Sequence, residues 1–170
     1  KDYIAAADLD DATVTGPKLR EAVARHFAGL APLVDYLCAA LDLRPILRLA
    51  TTFDTAAGYW TAPPPDADGR YRGVAARYAA FVAALRWPAG PPTVLVGNEP
   101  NHGEEWGGVA DPAAYARFLV DVAAALHAVD PAVRVVNAPL DHYAPHTNGL
   151  PFVNGFTYVE AYLARGMHID

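Results

Sequence analysis

Apolar residues in this chain alternate between helical spacing and short continuous runs, and few folds accommodate such an order. Helix and strand patterns that follow one another in turn predict an α/β fold, with a parallel sheet and crossover helices. The predicted strands are 46–50, 93–96 and 133–136, and the predicted helices are 17–28, 31–42, 70–86, 112–129 and 157–165.

The connections between these elements differ in length in a way that carries functional information. Loops that lead from helix to strand are short, whereas loops that lead from strand to helix are long, at about 52–69, 98–111 and 138–156. Long loops of this second kind are the exception in α/β units and often carry function. They all lie at the carboxyl ends of the strands, which is where we expect the site.

Charge and cysteine content exclude several classes of function. Lys and Arg total 13 against 19 Asp and Glu, which gives a net charge of −6 over 170 residues. An acidic chain without a basic run argues against a nucleic-acid or anionic membrane partner, and no apolar stretch is long enough to span a bilayer. One cysteine, Cys38, excludes an internal disulfide framework and a cysteine-rich zinc site, and we predict it to be a small core residue.

One motif at a predicted strand end combines a carboxylate with amide side chains. It reads Gly97-Asn98-Glu99-Pro100-Asn101 and directly follows the apolar run 93–96. A glutamate mounted there and desolvated by loop aromatics would have a raised pKa, as a general acid needs. The Asn98 amide can donate to and accept from a sugar hydroxyl. Simple turn chemistry remains the alternative explanation of the motif.

The region 31–140 resembles the middle of a glycoside hydrolase of the large retaining clan, which includes cellulases, mannanases and xylosidase-like enzymes. The resemblance is carried by RPILRL at 44–49, a long loop with Trp60 and three prolines, and VLVGNEPN at 94–101. It implies a (β/α)8 barrel in which the three predicted strands are the third, fourth and fifth. It also implies that Glu99 is the acid/base catalyst and that Asn98 binds the substrate 2-hydroxyl.

The chain departs from that family in ways that shape the expectation. The family's nucleophile is a glutamate on the seventh strand, and no residue here matches it. A full barrel needs about 250 residues, so 170 predict a single incomplete barrel domain, irregular over 1–16 and barrel-like over 17–170. The start at Lys1 and the end at Asp170 suggest a piece of a longer protein.

Several expectations follow from this partial match. We expect the rest of the parent barrel to complete the fold and to supply the second carboxylate, and the piece alone to be inactive. No cofactor is expected, the expected partner is a carbohydrate substrate, and the resemblance implies secretion. Asp141, after the next strand, is the best internal candidate for a second carboxylate, although substrate binding or the orientation of a loop suits it better.

Further candidates for substrate binding lie on the long loops. Trp60, Trp106 and Tyr143 could stack on the apolar faces of sugar rings, or could equally anchor their own loops. Polar candidates are Asn101, Asp141 and His142, and Arg48 could support a carboxylate.

Two other classes of function stay open at this stage. In the first, the parent protein binds glycans without hydrolysing them. In the second, Asp141, His142 and His146 hold a metal ion for a hydrolase, although their spacing is loose.

Overall fold

The computed structural model describes residues 44, 46–85, 87, 90–143 and 149–165. The predicted helices 17–28 and 31–42, Cys38 and His146 lie outside these residues. The strands are β1 (Ile46–Leu49), β2 (Phe53–Asp54), β3 (Tyr59–Trp60), β4 (Thr93–Val96) and β5 (Arg134–Asn137), and the helices are α1 (Arg72–Ala84), α2 (Pro112–Val129) and α3 (Gly155–Leu163).

The main sheet has three parallel strands in the order β1-β4-β5, which is also their order along the chain. Leu49 pairs with Val96, and Val96 pairs in turn with Asn137, so the three strands end level with one another. Helix α1 connects β1 to β4, and α2 connects β4 to β5. The predicted α/β fold with a parallel sheet is confirmed for the described residues.

The two faces of this sheet differ in burial. On one face, Leu49, Val94 and Val135 join a single core with the apolar residues of the helices. On the other face, Ile46 is 65% exposed, and Arg48 and Arg134 are exposed as well. Parallel sheets normally have both faces covered. The described helices therefore pack on one face and leave the other face open.

Helix α2 forms where its sequence predicts, because both its cap and its apolar stripe are local signals. The Asp111 carboxylate accepts hydrogen bonds from the backbone amides of Ala113 and Ala114 at 3.0 and 2.9 Å, and Pro112 occupies the first turn. The helical spacing of apolar residues predicts one buried stripe, which comprises Tyr115, Phe118, Leu119, Val122, Leu126 and Val129. The structure buries this stripe from Tyr115 to Leu126. Its last predicted member, Val129, is 53% exposed, because the helix ends there and the chain turns toward β5.

Tyr115 ties the carboxyl ends of two strands together from within α2. Its hydroxyl donates to the carbonyl oxygen of Val96 at 3.0 Å and accepts from the backbone amide of Ala138 at 2.6 Å. The side chain is fully buried, and burial raises the pKa of its hydroxyl. The strand ends that carry the long loops are thus fixed relative to each other by one neutral tyrosine.

Helix α2 also contains a histidine for which the expected position was wrong. The helical pattern predicts that His127 faces solvent. In the structure it is half-buried, and its Nε2 lies 3.0 Å from the carbonyl oxygen of Val133, at the start of the approach to β5. The histidine therefore fastens the short α2–β5 turn to the last turn of the helix.

A small hairpin occupies the first half of the long loop after β1, where the sequence predicts only a loop. Strands β2 and β3 pair in antiparallel fashion, with Phe53 opposite Trp60. The Asp54 carboxylate accepts from the backbone amides of residues 56 and 57, and Gly58 closes the turn at a φ of +78°. The rings of Phe53 and Trp60 meet edge to face, 5.5 Å apart. The hairpin gives Trp60 a fixed mount.

A buried carboxylate joins the end of this loop to α2. Asp121 is 4% exposed. It accepts from Nε of Arg70 at 3.0 Å and from the backbone amide of Tyr71 at 2.7 Å, and it forms a salt bridge with the Arg70 guanidinium. The side-chain hydrogen bond from Arg70 holds the pKa of Asp121 below its usual value. This contact fixes the point at which α1 begins.

We expect Asp121→Asn to be less stable than the wild type at pH 7 and equally stable in strong acid. A carboxylate whose pKa is lowered by folding stabilises the protein above its ordinary pKa of about 3.9, and that stabilisation disappears as the pH falls through the folded-state pKa. Urea unfolding of both proteins at pH 7 and at low pH measures the difference. A pH-independent difference would contradict the assignment of this charge.

The described helices include none that combines the length and the apolar character needed to cross a bilayer.

Candidate functional site

A cavity of about 240 Å³ opens where β1 and β4 end. Its walls come from the end of β1 and the residues that follow it, from the hairpin, from the loop after β4 and from the inner sides of both crossover helices. They are Arg48, Leu49, Ala50, Thr51, Trp60, Tyr78, Gly97, Asn98, Glu105, Trp106 and Phe118. Pockets for drug-sized ligands run from roughly 300 to 1,000 Å³, so this cavity suits a ligand of about one sugar ring.

Arg48 and Asn98 form the polar edge of this cavity. Nη1 of Arg48 donates a hydrogen bond to Oδ1 of Asn98 at 2.6 Å. The sequence suggests that Arg48 supports a carboxylate. The structure shows its hydrogen bond on the amide just before Glu99, and its positive charge opposes the rise in the pKa of Glu105 that burial causes. Because Oδ1 faces the guanidinium, the amide nitrogen of Asn98 points elsewhere. The arginine thus sets the orientation of the predicted hydroxyl-binding side chain.

Glu99 is half-buried and occupies an unusual backbone conformation. Its φ is +34°, and it is the one non-glycine residue with positive φ among the residues that the structure describes. Such conformations cost of order 1–3 kcal/mol and cluster at functional sites. The turn is fixed by a hydrogen bond from the His102 amide to the Glu99 carbonyl oxygen at 2.8 Å. The position that the motif predicts as catalytic is therefore also a strained one.

Glu105 is a second carboxylate of the site, and it is not among the residues that the motif singles out. It belongs to a short 3₁₀ turn, Gly103–Glu105, and lines the cavity. Burial raises its pKa, the neighbouring Asn98 amide opposes that rise, and the charge of Glu99 adds to it. The sequence places Glu105 only on a long loop. Its position in the cavity depends on the path of that loop, which no local pattern encodes.

Gly103 fixes the path of the loop after β4. A Cβ on Gly103 would lie 2.6 Å from the backbone oxygen of Gly108 and 2.8 Å from that of Pro151. Gly103 also donates its amide to the Pro151 oxygen at 2.8 Å. The turn that carries Glu105 is therefore pressed against two backbone segments, and no larger residue fits at this position without a shift.

The two tryptophans of the site differ in exposure. Trp60 is half-buried on the hairpin, and its carbonyl oxygen accepts from the Gly107 amide at 2.7 Å, so the two loops are joined. Trp106 is 5% exposed, and its ring meets Tyr115 edge to face at 5.5 Å. Trp60 keeps surface on which a ligand could stack, whereas Trp106 mainly fills the cavity floor and anchors its loop.

Asn101 has a structural role instead of the predicted contact with substrate. Its side chain is 0% exposed. Its amide nitrogen donates to the carbonyl oxygens of Asp141 and Val153 at 2.6 and 3.0 Å, and its Oδ1 accepts from the Asp141 amide at 3.2 Å. The side chain is therefore inaccessible to a ligand. It binds the loop after β4 to both described ends of the loop after β5.

The predicted residues after β5 form a separate group beside this junction. Oδ1 of Asp141 accepts from the Tyr143 amide at 2.8 Å, and its Oδ2 lies 3.5 Å from Nε2 of the buried His102. His142 stacks on Phe156, with ring centres 4.8 Å apart. Tyr143 is 89% exposed. None of these three predicted residues is among those that line the cavity.

A metal centre on the loop after β5 has no support from the described residues. No three His, Cys, Asp or Glu side chains among residues 44, 46–85, 87, 90–143 and 149–165 are grouped so that they could hold a metal ion. His146, the third residue of the hypothetical ligand set, lies outside these ranges.

Comparison with known proteins leaves the site to be interpreted from its own chemistry. No family model matches the chain. No curated protein matches it either.

Proposed function

We propose that the described residues form part of a (β/α)8 barrel. The strands lie in the sheet in the order in which they follow along the chain, and the helices between them pack on one face. One half of a doubly wound fold has the same strand order and a single helix layer, but the full fold places helices on both faces and reverses the strand order at a switch point. The sheet face that the described helices leave uncovered also suits a barrel, because that face would point into the barrel interior.

We further propose that the cavity belongs to a glycoside hydrolase that acts on a β-linked glycan or glycoside. The observation that carries this proposal is the position of Glu105 in the wall of a cavity that also has an aromatic wall and an amide edge. Glu99 is not among the residues that line this cavity, but it lies close enough for its charge to act on Glu105. A sugar ring has an apolar face and a polar rim, so Trp60 and the Arg48–Asn98 pair match its two kinds of surface.

Glu99 is assigned the role of acid/base catalyst in this proposal. As the glycosidic C–O bond breaks, a second carboxylate bonds to the anomeric carbon and the Glu99 carboxyl gives its proton to the departing oxygen. The Glu99 carboxylate later takes a proton from the water that displaces the second carboxylate. Asn98, oriented by Arg48, holds a hydroxyl of the ring. Retention of configuration requires a second carboxylate about 5–5.5 Å away. The family resemblance assigns that group to a later strand, for which this chain offers no match.

An assay on a panel of nitrophenyl β-glycosides tests the proposal, and the enzyme is the intact protein, meaning the expected parent barrel that contains this chain. We expect hydrolysis of at least one neutral glycoside, with the anomeric configuration of the first product, read by NMR, retained. Inversion would contradict the retaining mechanism. Sugar binding without turnover would replace the proposed enzyme with a glycan-binding protein. Loss of turnover on addition of a chelator would favour the metal-dependent alternative.

A further inference from the structure

Glu105 is a half-buried carboxylate with no salt bridge among the residues that the structure describes. It forms part of the cavity wall, as do Arg48 and Leu49 at the end of β1. Removing a carboxylate from water costs free energy unless other groups bind it, so such residues are concentrated at functional sites. The placement of Glu105 therefore requires an explanation beyond the packing of its loop.

The residues around Glu105 are held in fixed orientations by hydrogen bonds and by packing. The Arg48 guanidinium fixes Oδ1 of Asn98 at 2.6 Å, and the Asn98 amide lies near enough to Glu105 to favour its ionised form. Gly103 fixes the turn from the other side, since its position leaves no room for a Cβ. A carboxylate held in this way can accept several hydrogen bonds without rearrangement.

We propose that Glu105 determines substrate specificity by accepting hydrogen bonds from hydroxyls of the sugar ring in this cavity. This inference rests on the proposed function. Its two oxygens can accept from two adjacent hydroxyls while the apolar face of the ring lies against Trp60. The preferred ring is neutral, because a ring carboxylate at the same place would be repelled by the carboxylate of Glu105.

Glu105→Gln, compared with Glu104→Gln, tests this role. Glu104 is the preceding residue on the same turn and does not line the cavity, so its substitution makes the same change in charge outside the site. The substrates are the best nitrophenyl β-glycoside and its monodeoxy analogues. With the wild-type enzyme, removal of one particular hydroxyl from the sugar ring of the substrate should lower kcat/KM about tenfold or more.

The outcomes separate a specificity role from a structural one. In Glu105→Gln the penalty for removing that hydroxyl should shrink to about threefold, while Glu104→Gln retains it, because the amide oxygen of glutamine accepts a weaker hydrogen bond than a carboxylate does. An unchanged penalty in Glu105→Gln would overturn the proposal.

Failure of the proposed function gives a different pattern. If the wild type binds these sugars without hydrolysing them, the same comparison is made on dissociation constants measured by ligand-observed NMR, and the role of Glu105 is judged separately from the reaction. Binding of none of the glycosides would overturn both proposals.

Stability provides a second readout and a folding control. A glutamate whose pKa is raised by burial destabilises the folded state when it is ionised, so stability falls as pH rises from the ordinary pKa through the raised one. We therefore expect Glu105→Gln to be at least as stable as the wild type at pH 7, with a weaker decline in urea midpoint above pH 4.5. A less stable variant would indicate a structural role instead.

Discussion

Replacing Glu99 by Gln is expected to lower kcat/KM for a phenyl or alkyl β-glycoside by roughly 10²- to 10⁴-fold. A poor leaving group needs a proton as its bond to the sugar breaks, and the glutamine amide has none to give. The measurement is initial rates of the intact protein and the variant on the same substrate at the optimum pH of the wild type. A loss in kcat with little change in KM identifies an interaction made in the transition state.

The structure supplies the controls for this variant. Glutamine matches glutamate in shape and has the same Cβ, so the strained φ of +34° is unchanged, and the urea midpoint at neutral pH should be similar. Glu104→Gln, a few residues along the loop, should keep activity within about twofold. If Glu99→Gln retained full activity on a poor leaving group, Glu99 would not be the acid.

Replacing Asn101 by Ala is expected to lower the free energy of unfolding by about 3 kcal/mol. The substitution leaves two carbonyl oxygens and one amide of residues 141 and 153 without the partner that they have now, in a place closed to solvent. Each buried unpaired polar group costs about 1–3 kcal/mol. Urea unfolding of the intact protein at neutral pH provides the measurement.

Asn137→Ala is the matched control for that experiment. The Asn137 amide donates a single hydrogen bond to the carbonyl oxygen of the next residue, Ala138, at 2.9 Å, so its loss should cost about 1 kcal/mol or less. Equal costs for the two variants would show that the junction at Asn101 does not hold the two loops together.

Regular elements could be predicted from the sequence because their signals are local. The strand β4 has the predicted bounds, 93–96, β1 ends one residue earlier than predicted, and β5 begins and ends one residue later than predicted. Helix α3 begins at Gly155 instead of 157, since Asn154 caps it by accepting from the Phe156 amide at 3.0 Å. An apolar run or stripe identifies an element more reliably than it identifies its ends.

The details of the site could be predicted only in part, because they depend on contacts between distant segments. The position of Glu99 and Asn98 at a strand end follows from sequence order. The burial of Asn101 does not, because its partners lie 40 and 52 residues away. Nor does the pairing of Arg48 with Asn98, across 50 residues of chain. An asparagine in a polar loop motif is equally consistent with a ligand contact and with a buried backbone clamp.

The assignment of Glu99 as the proton donor is tested most directly by the leaving-group dependence of Glu99→Ala. Rates are measured on a series of aryl β-glycosides whose phenols range from poor to very good leaving groups. The proposal predicts that the rate of cleavage of the glycosidic bond is nearly normal for dinitrophenyl glycosides, which need no acid, and falls steeply as the phenol pKa rises. An equal loss of rate across the whole series, or no loss for the poorest leaving group, would contradict it.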